Sequence, residues 1–506
     1  MRVNQLRAGV LLTYLNIVIS TLIPLLYTPI MLRILGQAEY GLYSLANSVI
    51  SYLSLLTLGM GSAIQRYLVR CTAAGDKQML QRTLGLFTAL YAIAAAVCVA
   101  VGAVLTLGTS KLFGVGLTDP EIRKMNVLLI ILSVSMGTSF LFVSYASVVV
   151  CYERYVFRKG LDLILTLAGP VLNLVALYAG YGSVGMAVTS LLMQYASLAM
   201  YIWYTRKKLD IRPQFRNLPV DLLKDLFGFL AFVLVGMIAD MLYWATDKVL
   251  IGAMMGSVAV AVYNVGGTFQ GVLQSLSSAI SSVFAPRVNH LVFSGQPISE
   301  NSTLLIRVGR IQYLIVSLVL SGFVVFGRPF ITLWAGEEYL QAYPVALLTM
   351  IPLAVPLIQN TAFITITALS KHQFRAVLYA VLAVANVVST RLLIPTMGIV
   401  GAALCTCVVF VLGHGIIMNW FYYKRIGLDI PGFWKNIFKM TIVPGSMAAI
   451  CLAVGLNIEN VWQLLGSIAA YTGVFCILSW LISMNRYEKD LVMGMMGKLL
   501  PRKKQI

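Results

Sequence analysis

Apolar runs of about twenty residues alternate with short polar or Gly/Pro breaks along nearly all of the 506-residue chain. A bilayer core of about 30 Å takes about 20 apolar residues per helix, and on that rule the pattern predicts fourteen spans. The first six cover 8–32, 42–64, 83–107, 125–149, 161–180 and 184–204. The next six cover 228–250, 258–283, 305–327, 343–367, 375–395 and 399–421, and the last two 437–456 and 461–482. The breaks at 181–183 and 396–398 are the shortest. The expected fold class is an all-α polytopic membrane protein of about 14 transmembrane helices.

Composition agrees. Hydrophobic residues make up 59% of the chain and charged ones 11%, and the mean hydropathy is +0.87. Soluble domains carry about 25% charged residues, so soluble-enzyme, disordered and disulfide-stapled classes are excluded. The net charge of +19 does not indicate nucleic acid, because its cations cluster between the apolar runs, as at Arg206, Lys207, Lys208, Arg212 and Arg216. That placement is what the positive-inside rule produces. With the N-terminus cytoplasmic, Arg33, Lys111, Arg123, Lys124 and Arg328 fall outside, and Lys248 and Arg391 lie within spans. The remaining thirty of the 37 Lys and Arg fall inside. Both termini are therefore expected in the cytoplasm, with the chain in the cytoplasmic membrane.

The first apolar run, at about 25 residues, is too long for a signal h-region of about 7–15 and reads as a retained helix. The cysteines, Cys71, Cys98, Cys151, Cys405, Cys407, Cys451 and Cys476, lie in apolar runs or inner loops without a C-x-x-C. Neither a disulfide nor a metal site is expected, and no cofactor. The longest outer loops, 108–124 and 328–342, are too short to fold as domains.

Two echoes suggest an internal repeat. Gly182-Ser-Val-Gly-Met-Ala187 and Gly398-Ile-Val-Gly-Ala-Ala403 share G-x-V-G-x-A at an offset of 216. Gly36 and Tyr43 match Gly256 and Tyr263 at an offset of 220. Six spans separate the copies, so the repeat is parallel, and binding is expected between its halves. The resulting organisation is an N-terminal lobe (1–204, spans one to six), a basic cytoplasmic linker (205–225) and a C-terminal lobe (226–423, spans seven to twelve). Two appended spans (424–482) and a basic cytoplasmic tail (483–506) follow. The expectation is two parallel six-helix lobes around a central cavity plus two C-terminal helices.

The segment Met31-Leu-Arg-Ile-Leu-Gly-Gln-Ala-Glu-Tyr-Gly-Leu-Tyr-Ser-Leu-Ala46 resembles the first outer loop of bacterial O-antigen-type oligosaccharide flippases. So does Leu58-Gly-Met-Gly-Ser-Ala-Ile-Gln-Arg-Tyr67. Asn386-Val-Val, with Leu393-Ile-Pro-Thr-Met-Gly-Ile-Val-Gly-Ala-Ala403, resembles their eleventh-to-twelfth span hairpin. These flippases share a superfamily with multidrug and toxin extrusion carriers and lipid II flippases. The resemblance implies transport of a polyprenyl-diphosphate-linked oligosaccharide to the outer leaflet by alternating access, for cell-surface polysaccharide biosynthesis. It implies lipid-linked oligosaccharide and membrane lipids as partners, with glycosyltransferases and a polymerase of the same pathway as further candidates.

An ionisable side chain within a span is costly, about 2.5–3.5 kcal/mol at a helix centre, so each needs a reason. Asp240, Trp244 and Asp247 share a face of the seventh span. The two carboxylates are candidates for cation coupling or for a salt bridge with Lys248 or Arg391. His414 reads as a packing histidine or a proton relay, and Pro24 and Pro29 as hinges of the first span. Asn16, Asn173, Gln194, Asn264, Gln270, Gln274, Asn360 and Asn386 line a wet cavity or hydrogen-bond between helices. Moving an anionic head group through a low-dielectric cavity requires positive charge. The candidates are Arg391, Arg33 and Lys248 in the outer half, with Arg310 and Arg66 receiving the diphosphate from inside. Among them Arg391 lies farthest from an interface. The alternative reading is that these cations snorkel or only fix topology.

Two other functions remain open. A multidrug antiporter would need acidic residues in the N-terminal lobe, yet the first four spans contain no Asp or Glu. A membrane glycosyltransferase, polymerase or ligase would need an outer acid/base pair. Glu39, Asp119, Glu121, Glu337, Glu338 and Glu459 lie on short turns without one, so no catalytic residue is assigned.

Overall fold

The computed structural model describes residues 5–219, 221–222, 230, 234, 236–238, 241–242, 245–371 and 373–499. Among them every regular element is helical. Nine helices are long and apolar enough to cross a membrane among the described residues. Two of these, Val18–Ala73 and Gln373–Ile426, each hold two of the expected spans. A bent pair, Ala342–Ile358 and Asn360–Ala368, meets at 49° where the tenth span was expected. The eighth falls in Ser257–Phe293. Ten of the 23 residues of the seventh span, Asp240 and Trp244 among them, lie outside the described residues. The chain is an all-α polytopic membrane protein.

By proximity of Cα atoms the residues form two compact units, 1–265 with 376–405, and 266–375 with 406–506. The first unit begins with α1 (Gln5–Ser51), which runs through Pro24 and Pro29 and leaves helical geometry at Gly36 instead. A tight 3-10 turn at Tyr52–Thr57 and left-handed Leu58 and Gly59 then lead into α2 (Met60–Ala73). The second span is therefore broken near its middle. Next come α3 (Lys77–Phe113), α4 (Asp119–Cys151), α5 (Tyr155–Tyr178) and α6 (Gly182–Lys207). Asp76 caps α3 by accepting from the Met79 N–H, and Thr118 with Glu121 forms a capping box on α4. Small residues let α3 and α4 approach closely: a Cβ on Gly102 would lie 1.9 Å from the Ser133 hydroxyl. Such contacts replace the hydrophobic drive that is weak between helices in lipid.

The repeat seen in sequence has a backbone counterpart. Gly36 (φ 72°, ψ 171°) separates the first two spans, and Gly256 (φ 89°, ψ −176°) separates α7 (Thr246–Met255) from α8 (Ser257–Phe293). Gly182 (φ 55°) and Gly398 (φ 60°) likewise share the left-handed region. Both short breaks thus turn on glycine because an L side chain there would be strained. The repeat is inexact, since α8 stays helical where the second span breaks.

The linker is less of a tether than its composition suggests. Gln214 N–H donates to the Gln81 carbonyl at 2.9 Å, and Ile211 is buried. Gly85 admits this strand of chain, since a Cβ there would lie 2.0 Å from the Gln214 oxygen. Lys77 meets Asp210 at 2.7 Å and holds its carboxyl below the usual range by hydrogen bond and charge. That contribution is present above the ordinary carboxylate pKa and is lost as pH falls through the lowered one. The pair is solvent-exposed, so its effect is small.

The second unit holds the rest of α8, then α9 (Ile298–Trp334), α10 (Ala342–Ile358) and α11 (Asn360–Ala368). The helix α12 (Gln373–Phe410) crosses from one unit to the other and continues as wide π turns at Val411–Met418 and Tyr422–Ile426. The remaining helices are α13 (Ile430–Met440), α14 (Ile442–Val454), α15 (Val461–Leu478) and α16 (Arg486–Leu499). The expected thirteenth span, 437–456, corresponds to Ile430–Val454, which begins earlier and is divided at Thr441. Phe326, Val443, Met447, Tyr471 and Phe475 form a core joining α9, α14 and α15.

Two outcomes follow for the fold. Gly85→Val should expose the linker, seen as several-fold faster tryptic cleavage at Lys208 and Arg216. In the second unit, buried Arg310 is paired with Glu488 of α16 at 2.5 Å. Glu488→Ala should cost about 3–5 kcal/mol by stranding that charge, lowering the melting temperature in detergent. The double change Arg310→Met with Glu488→Leu should restore most of it.

Candidate functional site

A polar cavity in the first unit has a volume of about 590 Å³. Tyr27, Tyr40, Tyr43, Asn47, Asn173 and Asn264 line it, and Lys248 is the one charged side chain among its described lining residues. Tyr27 comes from the first span, whose helix runs on past both prolines, while Tyr40 and Tyr43 come from the helix that follows Gly36. The α7–α8 turn at Gly256 folds Asn264 back beside Lys248, sixteen residues earlier. The Lys248 ammonium donates to Asn264 Oδ1 at 2.5 Å, and Asn264 Nδ2 donates to Tyr40 Oη at 2.5 Å and Ser44 Oγ at 3.1 Å. An ammonium beside phenols and amides can take phosphate oxygens and sugar hydroxyls.

Asp247, one residue earlier, is 4% exposed and faces a different set of partners. Its carboxylate accepts from Tyr263 Oη at 2.7 Å, Asn386 Nδ2 at 3.2 Å and Thr390 Oγ1 at 3.5 Å. Asn386 therefore acts as interhelical glue between α7 and α12. The Tyr263 echo of Tyr43 was visible in sequence, but its role on Asp247 was not. Asp240, the other coupling candidate, lies outside the described residues.

The remaining cations fall elsewhere. Arg391 is exposed on α12, along a face it shares with exposed Val384 and Val388, while its neighbour Thr390 is buried on Asp247. Arg33 and Arg66 are also exposed, and none of the three is among the residues lining the cavity. Arg310 is 6% exposed, and its fork is filled by Glu488 at 2.5 and 3.0 Å and by the Ser483 carbonyl at 2.7 Å. It is a structural cation in this state rather than an open phosphate receptor. Sequence offered no signal for that pair, because Glu488 lies 178 residues away in the tail.

His414 stacks on Phe410 with ring centres 5.2 Å apart inside the π turn. Next to it, Asn419 gathers Gln359 (2.7 Å), Trp434 (3.0 Å) and the His414 carbonyl (2.7 Å). Glu39 was read only as an outer-loop acid. It accepts from the Ser183 N–H at 2.8 Å and from Lys124 at 3.0 Å, so it ties the Gly182 turn to α1 and α4. The polar groups around Asp247 give a stability test. Asp247→Leu should lower the melting temperature by removing the acceptor that the Asn386 amide and Tyr263 hydroxyl share, at about 1–3 kcal/mol, whereas Asp247→Asn should stay close to the parent.

Similarity to known proteins agrees with this architecture. The chain is 21% identical over 499 residues to the uncharacterized membrane protein EpsK of Bacillus subtilis (strain 168), covering 94% of this chain and 95% of the relative. It is similar in fold to the lipid II flippase MurJ in an inward closed conformation, with a TM-score of 0.73 at 13% identity over 96% of this chain and 99% of that one. It is also similar to a multidrug resistance MATE family transporter of the MOP superfamily in its inward-facing conformation. There the TM-score is 0.58 at 14% identity, over 83% of this chain and 99% of that one. The model of the polysaccharide biosynthesis protein family matches residues 6–292, more than half of the sequence. The chain belongs to the polysaccharide biosynthesis protein family.

Proposed function

We propose that this protein is a flippase. It moves a polyprenyl-diphosphate-linked oligosaccharide from the inner to the outer leaflet of the cytoplasmic membrane by alternating access, and it catalyses no bond change. The observation that carries this reading is the cavity in which Lys248 is the one charge among the described lining residues, beside phenols, hydroxyls and amides. An anionic head group gains from an ammonium in a low-dielectric site, and sugars gain from the surrounding donors and acceptors. A carrier for cationic drugs would be disfavoured by the same ammonium. The family assignment supports the polysaccharide pathway, and the MurJ-like fold supports a lipid-linked substrate.

Within this reading both termini are cytoplasmic, as the distribution of Lys and Arg supports. Spans one to six and seven to twelve act as the two lobes. Glycosyltransferases of the pathway supply the substrate inside and a polymerase consumes it outside. Lys248 replaces Arg391 as the first residue to test, because Lys248 lines the cavity.

The test is surface-glycan export in a deletion strain complemented with each variant. Lys248→Ala should abolish export at normal protein level, with lipid-linked intermediate accumulating inside, and Lys248→Arg should restore part of it. Arg391→Ala should export normally. Full export by Lys248→Ala, or drug resistance without any glycan phenotype, would overturn the proposal in favour of the antiporter reading.

A further inference from the structure

The network around Lys248 has a symmetry that the cavity alone does not require. Ser44 and Asn264 are in contact and lie 220 residues apart, the same offset that relates Gly36 to Gly256 and Tyr43 to Tyr263. Three residues earlier, Gly41 and Ala261 keep that offset. A Cβ on Gly41 would lie 1.8 Å from the Ser257 carbonyl oxygen and 3.1 Å from the Ala261 nitrogen. The helix after Gly36 and the helix after Gly256 therefore cross at repeat-equivalent positions, backbone against backbone. Nearby, Gly116 packs onto Gly252 and Gly256, and Ser257 Oγ donates to Glu121 at 2.5 Å. The crossing is closed by small residues and a few hydrogen bonds rather than by interlocked large side chains.

Asn264 is the link between this crossing and the cavity. Its carbonyl end receives the Lys248 ammonium, and its amide end holds Tyr40 and Ser44 of α1. We propose that Lys248 exchanges its Asn264 partner for a phosphate oxygen of the incoming head group, and that this exchange unlatches the α1–α8 crossing. The inference rests on the anionic-substrate reading above and adds to it a coupling between loading and opening. The ammonium forms a charge-assisted bond in either state, but only the empty state spends that bond on holding Asn264 against Tyr40 and Ser44. Withdrawing one charge-assisted hydrogen bond shifts a two-state equilibrium by on the order of tenfold to a hundredfold. A ligand can move the equilibrium only by binding the two states differently, and Lys248 supplies that difference.

The closed crossing can be read by a disulfide. In a cysteine-free background, the pair Glu121→Cys with Ser257→Cys replaces the contact at the start of α8, and the purified full chain is oxidised in detergent. Inorganic pyrophosphate is the probe, with chloride at matched ionic strength as the control. The parent pair should cross-link rapidly, and pyrophosphate should slow it by on the order of tenfold or more. Adding Asn264→Leu should give slow cross-linking with or without pyrophosphate, and adding Lys248→Ala should remove the response to pyrophosphate. Calorimetry on the same samples separates the two ideas. If pyrophosphate binds the parent but does not slow cross-linking, or if the Asn264→Leu pair closes as fast as the parent, the latch is wrong while the cavity reading stands. If pyrophosphate shows no Lys248-dependent binding, the anion-site reading fails and the latch fails with it.

Discussion

Nothing among these helices can hold a charge unless the chain itself supplies the groups that satisfy it. Water does that work in a soluble core's periphery, but the hydrocarbon interior offers no substitute. Each buried ionisable group seen here answers that constraint differently. Asp247 gathers a phenol, an amide and a hydroxyl. Arg310 recruits a carboxylate from the last helix. Lys248 rests on one asparagine and borders an open volume. The first two arrangements are closed and rigidify the helices that make them. The third places a cation at the border of a cavity instead of inside a closed network.

Sequence pattern was enough to read an all-helical membrane chain and its glycine turns, because both are written in local physics. Apolar runs set the helices, and glycine marks the turns that need a left-handed backbone, so Gly36, Gly256, Gly182 and Gly398 could be found without coordinates. The charge partners could not. Glu488 lies at the far end of the chain from the viewpoint of Arg310, and no periodicity links them. Arg391 looked the most embedded cation by its place along the span. In the fold it is exposed, on a helical face shared with Val384 and Val388. Depth along a helix is legible in sequence; direction around it is not when most positions are apolar.

The same limit explains the cavity. Asn264 appeared among eight polar span residues that could either line water or tie helices together, and it does both. Tyr27 and Tyr40 gave no signal, since tyrosine is common at membrane interfaces. The prolines suggested a bend in the first span, but the backbone departs from helix at Gly36. A helix can carry proline when neighbouring groups re-satisfy the freed carbonyl, so the residue alone does not place the break.

The two halves are alike at their turns and unlike just beyond them. After Gly36 the α-helix runs only to Ser51 before the 3-10 turn interrupts it, while after Gly256 it stays helical to Phe293. A duplicated segment that kept its corners has acquired a joint in one copy and a strut in the other. Such a pair cannot exchange roles as mirror-like twins would. Two segments that open on the same glycine turn thus carry their polar residues on a short helix in one copy and on a long one in the other.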